Sequence, residues 1–352
     1  MEILDLLSKK IKESFLFYSI ALILSTEKKV CTRMAKFLSV AHDFLQRFLN
    51  NYGLLIPIFP KLMFSIANYH SKKKTGYLVI DDTTMSKPFA KLIAGLYTIY
   101  NTAMGRPDRG FNLVVIAWSN GNVTIPLMFE WYFDKNISGE YFRSKTKIAI
   151  DLICRCVDKI PFLYILFDGH YSTIEVLQFL AENNLRFLAK IACNRKVTVK
   201  NVFDQIQNLP QLKFIRNERN KSILAVYHGM KLYFSSHKRE KKTGGYSFTY
   251  IVSNMALSAK AYIKIYEQRW CIEEMFRTMK QLLGLAHCQS KELQKQKLHV
   301  FAIFFSYSFL ESVKHKQKLE NPEAAAYALQ KLKLNKSILR IASFGKNFQC
   351  FA

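Results

Sequence analysis

Residues 163–191 read LYILFDGHYSTIEVLQFLAENNLRFLAKI. An apolar run at Phe162–Phe167, hydrophobic on both faces, stops at Asp168-Gly169-His170, which is the pattern of a buried strand with a carboxylate at its C-terminal end. Thr173 then opens a helical period running to about Glu182, and Leu185–Ala192 is a second strand. Strand, acid, helix, strand in about thirty residues points to an α/β layer with a parallel pair in its sheet.

Moving outward toward the N-terminus, Gly76-Tyr77-Leu78-Val79-Ile80 is another apolar run, and it ends at Asp81-Asp82-Thr83-Thr84. Asn112–Trp118 and Val123–Phe129 flank the dipeptide Asn120-Gly121, which predicts a hairpin closed by a type I′ turn. Tyr141–Val157 is helical by period. The order strand, hairpin, helix, strand, helix, strand predicts a mixed sheet flanked by helices, with sites at the carboxyl ends of strands, where Asp82 and Asp168 fall. Successive strand residues point to opposite faces, so the pattern alone leaves Asp81 and Asp82 both open as the acid that faces a site.

Five segments are expected. Residues 1–75 form a helical module, since Ala35, Phe37, Leu38, Ala41, Leu45, Phe48 and Leu49 repeat at helical spacing and a basic run follows at His70–Lys74. Residues 76–194 hold the first part of a core, 195–255 a β-rich insertion of Thr, Val, Tyr and Phe mixed with Lys and Asn, 256–315 the rest of the core, and 316–352 a helical tail.

Within 256–315 the segment AYIKIYEQRWCIEEMFRTMKQLLG carries Tyr266, Arg269, Glu273 and Lys280 at the spacing Y-x2-R-x3-E-x6-K. At roughly 100° per residue these four fall within an arc of about 60°. Ile265, Ile272, Phe276, Met279 and Leu283 occupy the neighbouring, buried arc. A carboxylate, a phenol and two cations on one helical stripe suit phosphate with an acid beside it. By itself an Arg269–Glu273 pair is also what an ordinary surface ion pair looks like, worth about 0.3–0.5 kcal/mol.

The chain carries 52 Lys and Arg against 26 Asp and Glu, a formal charge of +26 spread along its length. A polyanion is the partner this favours, foremost nucleic acid. The longest apolar stretches, near Phe15–Leu24 and Val300–Leu310, are too short for a bilayer core of ~30 Å, and Glu2 and Asp5 near the start do not suit a signal peptide, so a soluble, intracellular protein is expected. Seven cysteines without a C-x-x-C pair are read as reduced core thiols rather than a zinc site.

Asp82, Asp168 and Glu273 brought to one point would repel one another unless cations neutralised them. The chemistry that fits is a pair of hard divalent ions, Mg2+ foremost, acting on a phosphodiester. These blocks resemble the DDE transposases of the insertion-sequence-four family, over roughly residues 77–285. The resemblance implies an RNase H-like mixed sheet flanked by helices, with Asp82, Asp168 and Glu273 as catalytic, metal-binding acids and two Mg2+ ions that Mn2+ can replace. It implies phosphate contacts from Tyr266, Arg269 and Lys280. It also implies cut-and-paste action on terminal inverted repeats and target DNA by a homodimer on DNA, in the cytoplasm of a prokaryote. A nuclease without strand transfer, or a catalytically silent DNA-binding derivative, would share much of the sequence.

Asp108, in Gly105–Gly110, reads as part of a polar turn, with Arg106 and Arg109 as possible backbone-phosphate contacts. His170 reads as structural or phosphate-binding and stays outside the catalytic set, and Glu274 as an acid that either backs the site or lies on the surface. The resemblance also implies an aromatic side chain of the insertion that stacks on a flipped base, but this chain departs from that pattern, since Trp118, Trp131 and Trp270 lie outside the insertion; Tyr233, Phe234 and Tyr246 are the substitutes there, and core packing is the reading favoured for each.

Overall fold

A computed structural model describes residues 7–72, 74–101, 104–213, 222–240 and 244–331. We number the helices of eight or more residues. Four precede the sheet: α1 (Lys9–Leu24), α2 (Cys31–Leu38), α3 (His42–Asn50) and α4 (Phe59–Ser71). The strands are β1 (Gly76–Ser86), β2 (Tyr97–Asn101), β3 (Arg106–Ser119), β4 (Thr124–Tyr132), β5 (Phe162–Phe167), β6 (Phe187–Ile191), β7 (Lys196–Val199), β8 (Val202–Gln205), β9 (Ile223–Tyr227), β10 (Met230–Glu240) and β11 (Tyr246–Ser253). The remaining helices are α5 (Lys145–Cys156), α6 (Ile174–Glu182), α7 (Ala259–Tyr266), α8 (Trp270–Gln281), α9 (Leu293–Gln317) and α10 (Pro322–Lys331).

All eleven strands join one mixed sheet in the order β2-β3-β1-β5-β6-β11-β10-β9-β7-β8, with β4 paired to β3. The expected parallel pair is β5 with β6, and β1 lies parallel on the other side of β5. Both β1 and β5 are central, which explains why their sequences are apolar on both faces. Strand β11 joins antiparallel to β6, so the strands after residue 195 extend the same sheet.

Helix α9 is the keel of the molecule. Its buried residues lie on every side, from Leu298 through Val313, because α1, α4, β4, α8 and α10 all pack around it. Aromatic rings tie the helical N-terminal part to the sheet through it: Phe15 meets Phe59 at 5.3 Å and Phe305 at 4.7 Å, and Phe301 meets both Phe59 at 5.3 Å and Phe129 of β4 at 5.1 Å. One continuous apolar core results.

Local departures from expectation have physical causes. The connection at 120–123 is a four-residue loop, not a type I′ turn: the Asn120 side chain accepts from the Asn122 and Val123 N–H groups at 3.0 Å, and only Gly121 has a positive φ, +85°. β1 runs on to Ser86 because its polar end pairs with the long β3. Arg106–Gly110 is strand, held against the edge strand β2, which the sequence did not reveal. Asp108 there accepts from Ser86 Oγ and, at 3.3 Å, from Asn101. Tyr141 belongs to a short 3-10 turn and α5 begins only after Ser144, whose hydroxyl caps the Lys147 N–H. The cysteines are not all core residues, for Cys154 and Cys193 are exposed. Among the described residues no helix is long and apolar enough to cross a membrane.

Candidate active site

β1 and β5 are parallel with Ile80 opposite Phe167, so the next residues along, Asp81 and Asp168, emerge side by side at the same sheet edge. By the pleat, Asp82 is directed to the other face. The two adjacent acids therefore have different neighbours, and the structure separates what the sequence left open.

Asp81 faces the helical stripe. Arg269 Nη1 lies 3.0 Å from Asp81 Oδ2, while its Nη2 donates to Glu273 Oε1, so one guanidinium clamps an acid from β1 to an acid from α8. The Arg269 side chain is only 12% exposed. Burial pushes the Asp81 carboxyl up to about 7, the Arg269 charge opposes that rise, and Asp82 and Asp168 add to it. Asp82 instead accepts from Lys145 Nζ of α5 at 2.6 Å and from the Tyr171 hydroxyl at 3.1 Å. Lys280 also feels the Asp82 charge, although burial dominates and holds its pKa below the ordinary value.

The stripe itself is not one straight helix. α7, capped by the Ser258 hydroxyl on Ala261 N–H, ends at Tyr266; Glu267–Arg269 form a 3-10 turn; α8 then begins at Trp270. In a 3-10 turn residues three apart eclipse, and Arg269 sits 5.8 Å from the Tyr266 ring centroid as a result. The apolar flank behaves as expected, with Ile272, Met279 and Leu283 fully buried.

A cleft of about 550 Å³ opens beside this turn, lined by Asp168, Lys190 of β6, Tyr266, Arg269 and Trp270 among others. The Tyr266 hydroxyl is buried and has no hydrogen-bond partner among the described residues. Burial is also the main reason its pKa stands well above the usual phenol value. Trp270 is 51% exposed at the cleft. Of the aromatics considered for stacking, Phe234 is core, Tyr233 is half-buried, and Tyr246 is exposed with Lys238 Nζ 3.2 Å from its ring centroid.

Five of the six residues singled out from the sequence thus gather at one sheet edge, and Lys280, about two turns along α8 from Glu273, is exposed and within reach of the Asp82 charge. The three motif acids do not close on one point: among the described residues no three Asp, Glu, His or Cys side chains are grouped to hold a metal. In donor chemistry they fit hard divalent cations, being carboxylates only, and Asp81 beside them is a buried acid whose negative neighbours Asp82 and Asp168 call for positive charge. Lys145 and Arg269 supply that charge here. Three members were not found from sequence: Lys145, Tyr171 and Lys190. Ser144 as a helix cap was the one signal placing Lys145 at a helix start; nothing local marked Tyr171 or Lys190.

Two family profiles match the sequence. The one described as DDE superfamily endonuclease covers residues 2–206, and the one described as transposase DDE domain covers residues 144–309. No curated protein matches. Among solved structures the chain is similar to piggyBac transposase in its synaptic complex with hairpin DNA, with a TM-score of 0.51 and 9% identity, covering 98% of this chain and 75% of that one. At that identity the likeness concerns the fold, an RNase H-like mixed sheet flanked by helices.

Proposed function

This chain belongs to the DDE superfamily of endonucleases, and from that premise we propose that it is a DNA transposase of the insertion-sequence-four type. It cleaves the ends of its element and joins them to target DNA. The observation that carries the proposal is the Arg269 clamp, which brings the Y-x2-R-x3-E segment onto the strand ends that carry Asp81, Asp82 and Asp168.

In this reading Asp82, Asp168 and Glu273 are the catalytic acids, and they would hold two Mg2+ ions. Bound there, the ions would activate the attacking oxygen and stabilise the leaving one. The protein's own groups do the rest. Arg269 holds Glu273 at the sheet edge, and Asp81 orients Arg269. The unpartnered Tyr266 hydroxyl and Lys280 offer a donor and a positive charge to phosphate oxygens, and Lys190 lends charge to the cleft wall. Water cleaves the P–O3′ bond at the element end, and the freed 3′ hydroxyl then attacks a target phosphorus, expelling the target's own 3′ oxygen. Its partners are double-stranded DNA, both terminal inverted repeats and target, and a second copy of the chain; residues 1–75 and the strands after 195 supply further DNA contacts. Binding weakens steeply with salt, because phosphate contacts release counterions.

The test is to incubate the protein with a plasmid bearing its own flanking DNA in Mg2+ or Mn2+, beside Asp168→Ala and Glu273→Ala, and map the cuts. Cutting at the element ends that both substitutions abolish, with joining to new sites, supports the transposase. Cutting without joining assigns a nuclease, and tight end binding without cutting assigns a DNA-binding derivative.

A further inference from the structure

A second cavity, of about 240 Å³ and mixed polar and apolar lining, lies where α1, α2 and α3 meet the segment between α8 and α9. Lys29, Thr32, Gln46, Asn50, Ser290 and Lys295 contribute to its lining. It lies apart from the acidic site and shares no lining residue with the cleft beside Asp168.

Its charge is unusual. Lys29 is only 4% exposed, and its ammonium donates to the Ser25 carbonyl, which uses one of three N–H groups. The neighbouring Lys87 is 7% exposed and donates to the Cys288 carbonyl at 2.5 Å. His287 Nδ1 accepts the Lys29 backbone N–H at 3.1 Å, and burial together with Lys28, Lys87 and Lys29 holds its pKa down. Among the described residues no carboxylate is one of the charges that act on Lys29, Lys87 or His287, although Cys288 acts on Lys87 and Lys295, which also lines the cavity, is paired with Glu292 at 2.5 Å. Burial lowers both lysines to about 8.

Buried ammonium groups without a counter-ion are costly unless an anion meets them. The backbone adds to the pull. α2 begins at Cys31 with no side-chain cap, so its first N–H groups, out of reach of any helical carbonyl, lie beside the Cys31 and Thr32 that line the cavity. The arrangement is built tightly. Gly284 has φ +72°, and a Cβ there would come within 2.6 Å of Lys29 Cγ and 2.5 Å of His287 Nδ1, so glycine lets the chain close against the lysine stem.

We propose that this cavity is an oxyanion site that takes a phosphate group, with Lys29 as its central cation. The phosphate comes either from the backbone of bound DNA, which rests on the transposase reading, or from free inorganic phosphate, which does not.

The test uses the full chain. Thermal unfolding is followed while inorganic phosphate replaces chloride at constant ionic strength, and binding of a duplex is measured across salt concentrations, for wild type, Lys29→Met and Thr32→Asp. Thr32→Asp guards against misfolding, because a carboxylate in the first turn suits the helix and blocks an anion. The expected result is a wild-type Tm that rises saturably with phosphate, a rise lost in both variants, and for Lys29→Met a Tm in chloride no lower than wild type. A log–log salt slope that falls by about one in Lys29→Met assigns the site to DNA phosphate; an unchanged slope with the Tm response intact in wild type assigns it to free phosphate. No phosphate-dependent rise and no slope change, or a rise that persists in Thr32→Asp, overturns the proposal. Neither outcome touches cleavage, so failure here is separable from failure of the transposase reading.

Discussion

Arg269 does what no single carboxylate in the site does: it contacts Asp81 and Glu273 at once. Its planar fork is suited to two oxygens at fixed angles, whereas a lysine is a single point charge. Arg269→Lys is therefore expected to behave almost like Arg269→Ala, lowering end cleavage by about 10²-fold or more, the scale of losing one aimed donor; near-wild-type rates in the Lys variant would show that charge alone suffices. A second residue-scale prediction concerns His299, fully buried between the Tyr18 hydroxyl at 2.8 Å and the Gly284 carbonyl at 3.1 Å. Burial is the largest of the effects that bring its pKa from 6.5 down to about 3. The folded state thus refuses a proton that the unfolded chain accepts, so stability falls as pH drops from about 6.5 toward 3, by about 1.4 kcal/mol per pH unit from this group. Denaturant titrations at pH 7 and 5 on wild type and His299→Gln should show the steeper loss in wild type.

Elements differ in how far their sequences announce them. β1 and β5 were legible because a central strand is apolar on both faces and ends at a polar break, as at Asp81 and Asp168. The edge strand β2, YTIYN, buries only Ile99 and so lacked that signature. The 3-10 turn at Glu267–Arg269 was invisible because its residues suit a helix; the fixed spacing of the stripe survived, but its straight-wheel geometry did not. Face assignment was beyond periodicity altogether. Only the register of β1 against β5 set Asp81, not Asp82, beside the Arg269 clamp. Helix α9 read as apolar, yet its Glu311 is only 2% exposed, accepting from the Thr124 N–H at 2.9 Å, from the Tyr307 hydroxyl at 3.2 Å and from Lys314. Removing it strands a backbone donor and an ammonium, so Glu311→Ala should cost about 3–5 kcal/mol of unfolding free energy; a change under about 1 kcal/mol by denaturant titration would contradict that account.

At the scale of the molecule, the helices before residue 72 and the sheet are held as one body by α9 and its aromatic contacts. Phe301 touches both Phe59 and Phe129, so Phe301→Ala should remove about 3–5 kcal/mol and lower the transitions seen by helical circular dichroism and by tryptophan fluorescence together. Separate transitions would mean that the two parts melt independently. The same architecture brings a basic chain's acids to one sheet edge, and there the paired acids of β1 offer the sharpest test. Mg2+-dependent cleavage of the flanking DNA should be measured for Asp82→Asn and Asp81→Asn side by side. The account predicts that Asp82→Asn abolishes cutting while Asp81→Asn, which only loosens Arg269, leaves a reduced but measurable rate; an Asp82→Asn protein that still cuts beside an inert Asp81→Asn would contradict it and move the catalytic role to Asp81.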